Sequence, residues 1–270
     1  MTDKILNAYK ARPKDWLIKW GVFLGIVLII VLSLPYIPYK GLTSYGQVIA
    51  KSIITGILSP DLRYFTDLST QGIPYLLLET VAIAFLGTLV GAVLSLPFAF
   101  LSSRNLVPNW VAHIFTFIIA MIRTFPAFVY GLMFIRVTGP GPFTGVLTLA
   151  VSGIGMTAKL FTESIEDLDK GIIEALDASG CNTIQKIRYG IIPQLMSNFA
   201  STTIYRFEIN VKNASILGLV GAGGIGFPIL AAMSAFRWKD AGTLLFGLVI
   251  IVLIIDYFSG RLRKKLATGL

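Results

Sequence analysis

About six apolar runs, near 20–36, 73–101, 110–135, 143–161, 193–219 and 241–258, dominate the hydropathy pattern of this chain. A helix that crosses a bilayer needs about 20 mostly apolar residues, and only a helix or a closed barrel satisfies its own backbone there. The pattern therefore predicts an all-α polytopic membrane protein with about six transmembrane helices. Between the first and second runs, segment 39–71 is interrupted by Pro60, Asp61, Arg63 and Asp67, which predicts an external loop containing an interfacial helix. Residues 1–72 thus read as a cytoplasmic tail, a first span and an external loop, and residues 73–270 as one membrane core. Gly87 and Gly91, four residues apart, allow close helix approach in lipid. Pro126 is expected to kink the third span, and Gly139–Pro140–Gly141–Pro142 to form a tight outer hairpin.

Composition agrees. Apolar residues make up 55% of the chain and charged residues 14%, more apolar surface than a soluble core of this size hides. Short cytoplasmic loops retain Lys and Arg, so the basic residues set the orientation. Lys4, Lys10, Arg12, Lys14 and Lys19 precede the first run, and Arg261, Arg263, Lys264 and Lys265 follow the last. With Arg104, Lys159, Lys170, Lys186 and Arg188, about 14 of the 23 basic residues fall on one side, which places both termini in the cytoplasm. The net charge of +9 sits beside membrane segments, where anionic headgroups attract it, so nucleic-acid binding is not expected. No small-residue cleavage pattern follows the first run, whereas Pro35 and Pro38 do, so a retained span is expected rather than a signal peptide.

Several chemical signals fall away. Cys181 is the only cysteine, so no intrachain disulfide forms, and with His113 as the only histidine no ordinary zinc site is expected. Glu163, Glu166, Asp167 and Asp169 read as a solvated approach to a loop. Gly221, Gly223 and Gly226 satisfy the spacing of a dinucleotide-binding turn, but they follow a membrane helix rather than a buried strand, so helix packing or a flexible outer gate explains them better. No glycine-rich turn ends in Gly-Lys-Ser/Thr, and ATP hydrolysis by this chain is not expected.

The segment 163–193 is a polar island between spans. Helix-forming residues Glu174, Ala175, Leu176, Asp177 and Ala178 lead into Gly180, which suits a left-handed helix terminus. Asn182 with Gln185 reads as the start of a second short helix, and Pro193 follows Gly180 by thirteen residues. Ile172, Ile173 and Leu176 share one face of the first helix, and Ile184, Ile187 and Ile191 one face of the second. Such a pair is either an interfacial hairpin or a surface for another protein.

Charges within the spans are costly unless they face protein or water. Arg123, in Arg123–Thr124–Phe125–Pro126, either satisfies carbonyls freed by the proline, pairs with a carboxylate, or lines a polar route. In the fifth run, Arg206, Asn210 and Asn213 share one helical face, while Glu208 and Lys212 can neutralise each other on nearly the opposite one. Arg206 is then left either to meet a transient anion or to pair with Glu79.

The Glu174-to-Gly180 stretch with Pro193 resembles the Glu-Ala-Ala loop of permease subunits of ATP-binding-cassette importers. Its approach, Lys159–Glu166, and its exit, Tyr189–Gln194, are similar to those of phosphonate-type permeases. So are Glu79–Thr80, Gly87–Thr88, Gly91, Arg206–Phe207–Glu208 and the run Gly218–Phe227. The similarity extends from about Pro74 to the carboxyl end. Two positions depart from it: Leu176 stands where the broad family usually has Ala, and Gly190 where it often has Ile.

The resemblance implies the type I importer permease fold in a bacterial inner membrane. A second copy of the chain, an external substrate-binding protein and ATPase subunits that carry ATP and Mg are the implied partners. It places Glu174, Ala175, Asp177, Ala178, Gly180 and Pro193 in the ATPase docking loop, and a phosphonate or related phosphorus oxyanion on a route past Arg206, Arg123, Asn210 and Asn213. Competing readings are the same machine carrying phosphite or methionine, an ion-coupled secondary transporter using Glu79 or Glu208, and, with least support, a membrane-embedded enzyme.

Overall fold

The computed structural model describes residues 15–36, 44–61 and 63–268. The expectations resting on Lys4, Lys10, Arg12, Lys14, Pro38 and Tyr39 lie outside those residues. Every regular element among the described residues is a helix.

The chain divides into two units, Met1–Ala50 and Lys51–Leu270. In the first, α1 (Asp15–Ser33) is apolar around most of its circumference, as a helix in lipid must be. Trp16, Trp20 and Phe23 stack edge to face along it. It tightens into a short 3₁₀ turn, Leu34–Tyr36, at Pro35. Helix α2 (Ser44–Ile57) begins in this unit and ends in the second, and with α3 (Arg63–Thr66) it supplies the helix expected within segment 39–71.

The second unit continues with α4 (Ile73–Ser102), α5 (Asn109–Thr124), α6 (Ala127–Thr138), α7 (Pro142–Glu166), α8 (Lys170–Ala178), α9 (Thr183–Gln185), α10 (Ile192–Gly218), α11 (Gly226–Ser234) and α12 (Trp238–Thr268). Among the described residues of the whole chain, four helices, α1, α4, α7 and α12, are long and apolar enough to cross a membrane, or five if α5 and α6 count as one bent span. Helix α10, the remaining expected span, has 27 residues and the length to cross, but Arg206, Glu208, Lys212 and several amides dilute its apolar character. The kink expected at Pro126 is a full break: α5 and α6 meet at 83°. The α region is disfavoured for a residue before proline, and Phe125 is extended at φ −89°, ψ 127°. Tyr130 Oη donates to the freed Ile122 carbonyl at 3.1 Å.

Helices α4 and α7 form the centre of the unit. A methyl group at Gly87 would fall 2.6 Å from Leu149 Cβ, and one at Gly91 2.9 Å from the Ala150 carbonyl oxygen, so both glycines are needed for this approach. Apolar clusters follow one another along α4. Ile73 and Leu76 meet Ile225, Ile229 and Leu244 at one end; Ile83 and Ala84 meet Leu149, Val211 and Leu217 in the middle; Ala99 meets Phe161, Ile165, Ile191 and Phe199 at the other. The 163–193 segment leaves the last of these ends, and the 139–142 hairpin and the 219–225 turn lie toward the first.

Candidate functional site

The short helices of the polar island end at Gly180 and begin at Asn182 as expected, and Asp169, read from sequence only as part of a solvated approach, is a further cap. Asp169 Oδ1 accepts from Gly171 N at 2.9 Å and starts α8. Gly180 ends it at φ +74°, and Cys181 N donates back to the Leu176 carbonyl at 3.0 Å. Asn182 and Gln185 form a reciprocal capping box, with bonds of 2.8 and 2.9 Å. Beyond Gln185 the chain does not leave the helix: Lys186–Ile191 is a π-helical stretch that runs directly into α10, with Pro193 exposed in its first turn. The loop is thus continuous with α10, with no non-helical residue between Thr183 and Gly218.

The surface of the loop is small and mixed. Glu174, Ala175, Ala178 and Gly180 are exposed, and Glu174 has no ion-pair partner among the described residues. Asp177 is held by Lys186. The expected apolar stripe on the second helix is only partly internal. Ile191 is fully buried and Ile187 packs against the core, but Ile184 is 75% exposed because the π-turn shifts the register between them. Arg188 lies over the exposed Tyr189 ring, 5.7 Å from its centroid. Ile184 and Tyr189 are thus apolar surface left on the loop.

In α10, Arg206 is only 9% exposed, and its Nε has no hydrogen-bond partner. Its guanidinium lies against Gly153 of α7, where a methyl group would stand 3.8 Å from Nη2. One turn on, Asn210 donates to Thr88 Oγ1 at 2.8 Å while its Oδ1 remains unpaired; Asn213, half-buried, follows a further turn away. The anticipated alternative partner of Arg206 is not there. No carboxylate among the described residues pairs with it, and Glu79 lies in a separate cavity.

Glu208 and Lys212 do meet, at 3.7 Å, but within a larger network. Arg263 of α12 donates to Glu208 at 2.8 Å, and Lys212 reaches Asp256 at 3.3 Å. Arg263 also lies over the Tyr205 ring, 5.3 Å from its centroid. Asp256 and Arg263 were missed from sequence because they lie 44 and 55 residues from their partners. The detectable signal was Asp256 itself, an acid inside an otherwise apolar run.

Arg123 is exposed at the end of α5, with no ion pair among the described residues, and its methylenes pack over Gly155 of α7. The carbonyl that the break frees at Ile122 is taken by Tyr130 instead. Gly153 and Gly155 are two residues apart, so Arg206 and Arg123 contact nearly opposite faces of α7 and do not converge.

At the other end of the bundle the glycine-rich turn packs onto α4 and the 139–142 hairpin. Gly141 N donates to the Gly221 carbonyl at 2.9 Å, and Ile225 N to Thr80 Oγ1 at 2.9 Å. Helix α10 precedes this turn, so it has no strand context for a dinucleotide. Beside it a cavity of about 670 Å³ is lined by Glu79, Tyr64, Gln71, Phe227, Arg237 and Asp240.

Residues 87–268 match the family described as the binding-protein-dependent transport system inner membrane component. The phosphite transport system permease protein PtxC of Stutzerimonas stutzeri is 34% identical over 189 residues, covering 70% of this chain and 69% of that one. The putative cryptic phosphonate transport system permease protein PhnE2 of Escherichia coli K12 is 37% identical over 119 residues, covering 44% of this chain and 98% of that one. Among solved structures, an inward-facing MetNI methionine ABC transporter aligns with a TM-score of 0.63 at 22% identity, over 70% of this chain and 93% of that one, a likeness of fold alone. The chain belongs to the binding-protein-dependent transport system inner membrane components and is a permease subunit of an ATP-binding-cassette importer, a transport subunit rather than an enzyme.

Proposed function

We propose that this permease carries a phosphorus oxyanion, of the phosphonate or phosphite class, received from an external binding protein. Two similarities support that class: relatives of this chain are named for phosphite and phosphonate transport. The observation that carries the reading is Arg206, a guanidinium 9% exposed in a long helix of the bundle, with an unpaired Nε and no acid to neutralise it among the described residues. A structural arginine in lipid is held by a carboxylate or by carbonyls; one left open in this way suits an anion that passes. Asn210 and Asn213 extend the polar face along α10.

The energy enters through the loop. Glu174, Ala175, Asp177, Ala178, Gly180 and Pro193 form the surface that seats on a separate ATPase, which holds ATP and Mg. Small exposed side chains permit close approach, and the unpaired Glu174 offers charge to a basic partner. Nucleotide-driven closure of the ATPases moves the loops, and the direct junction through Lys186–Ile191 carries that movement into α10. A second copy of the chain completes the route, with the exposed Arg123 available at the break between α5 and α6. Both termini face the cytoplasm in this arrangement.

Reconstitution in vesicles with the ATPase and binding protein tests the proposal. ATP-dependent uptake is expected for phosphonates or phosphite and not for methionine. Accumulation of solute without the ATPase, or stimulation by an uncharged solute alone, would overturn it.

A further inference from the structure

Five carboxylates among the described residues are partly buried, and four of them hold a cation. Asp61 pairs with Lys239 at 3.8 Å, Asp240 with Arg237 at 3.3 Å, Asp256 with Lys212 at 3.3 Å and Glu208 with Arg263 at 2.8 Å. The fifth is Glu79, which has neither an ion pair nor a hydrogen-bonded side chain among the described residues. Glu79 is partly exposed in the wall of an open cavity, where a cationic group entering from outside the chain can reach its carboxylate.

The surroundings of Glu79 narrow that partner. It lies in the wall of the cavity of about 670 Å³, far more room than one ion needs and enough for side chains of an inserted loop. Arg237, in the same wall, is already engaged by Asp240, so the cavity keeps a net negative charge. The glycine-rich turn closes one side. At Gly223, with φ +83°, a methyl group would stand 2.9 Å from the Pro142 backbone and 3.1 Å from Glu79 Oε1, so glycine there keeps the carboxylate clear. The cavity lies at the end of the bundle opposite the 163–193 loop, which in the proposed orientation is the outer face. An anionic cargo is repelled by such a site.

We infer that Glu79 receives a lysine or arginine side chain from the docking surface of the external binding protein. The inference rests on the importer reading and its orientation. It makes the outer mouth a charge-selective socket for the delivery protein, separate from the anion route past Arg206.

Binding of the purified binding protein to the permease–ATPase complex in nanodiscs tests it. Glu79→Gln is expected to weaken binding about tenfold at low ionic strength, and Glu79→Lys further, with the difference from wild type shrinking as salt rises. Replacing the Lys and Arg residues on the binding protein's docking face by Glu, one at a time, is expected to reveal one position that restores affinity to Glu79→Lys. The same partner variants leave the permease unaltered, so the measurement survives if a Glu79 variant fails to assemble. If wild type docks while no partner substitution and no assembled Glu79 variant changes the affinity, the inference is overturned and the importer reading stands. If wild type neither docks the binding protein nor responds to it, both fall.

Discussion

Leu176 and Gly190 share one space: a methyl group on Gly190 would fall 2.5 Å from Leu176 Cδ1. These are the two loop positions that the sequence reading set apart from the broad permease family. The leucine of α8 fills the volume that a side chain on the following turn would take, which joins the first short helix to the stretch entering α10.

That relationship is testable by exchange. Gly190→Ile is expected to destabilise the loop by about 1–3 kcal/mol through overpacking. Adding Leu176→Ala is expected to recover most of the loss, because the pair shares one site. Thermal denaturation of the four forms in detergent measures the coupling; strictly additive effects would rule out the shared volume.

Glu174→Arg reverses an exposed charge that has no ion-pair partner among the described residues, so folding should be unaffected. Affinity for the ATPase is expected to fall about tenfold, and uptake with it. Copurification and uptake at wild-type levels would remove Glu174 from the docking surface.

Arg206→Met separates transport from stability. A buried charge without a partner is a net cost, so the variant is expected to melt at the same temperature or higher, by about 1 kcal/mol in stability. Uptake at limiting oxyanion is expected to drop at least tenfold on the order-of-magnitude scale of a lost charge contact. A loss of stability with normal uptake would identify Arg206 as structural instead.

Breaking the Glu208–Arg263 pair from one side leaves a partly buried charge. The side chains are 15% and 33% exposed, so solvent screens them in part. Arg263→Met is expected to cost about 2 kcal/mol, below the figure for a fully buried pair, and combining it with Glu208→Gln is expected to cost less than Arg263→Met alone. Denaturation of the single and double variants decides this; a double variant no better than the single would show that the pair is not coupled.

What could be read from residue order was what depends on near neighbours. The runs of apolar residues located the long helices, because lipid demands about 20 such residues at a stretch, although α10 is too polar to count among the four or five candidate spans of the described residues. The ends of α8 and α9 followed from Gly180 and from Asn182 with Gln185, since caps are bonds across three or four residues. Pro126 marked the third span for disruption, although its severity, a break of 83°, needed the structure.

Distant pairings were decided only by packing. Glu208 had Lys212 in view one turn away, but its shorter contact is to Arg263, which α12 brings beside it. Glu79 and Arg206 have opposite charges and were equally free to meet on paper. The fold puts one in the cavity beside the glycine-rich turn and leaves the other against Gly153. Ile184 repeats with Ile187 and Ile191 in sequence, yet a π-turn rotates it into the open. Local sterics and solvent preference act along the chain and leave a periodic record in it. The meeting of side chains 44 or 55 residues apart depends on how whole helices cross, for which a single sequence holds no period to read.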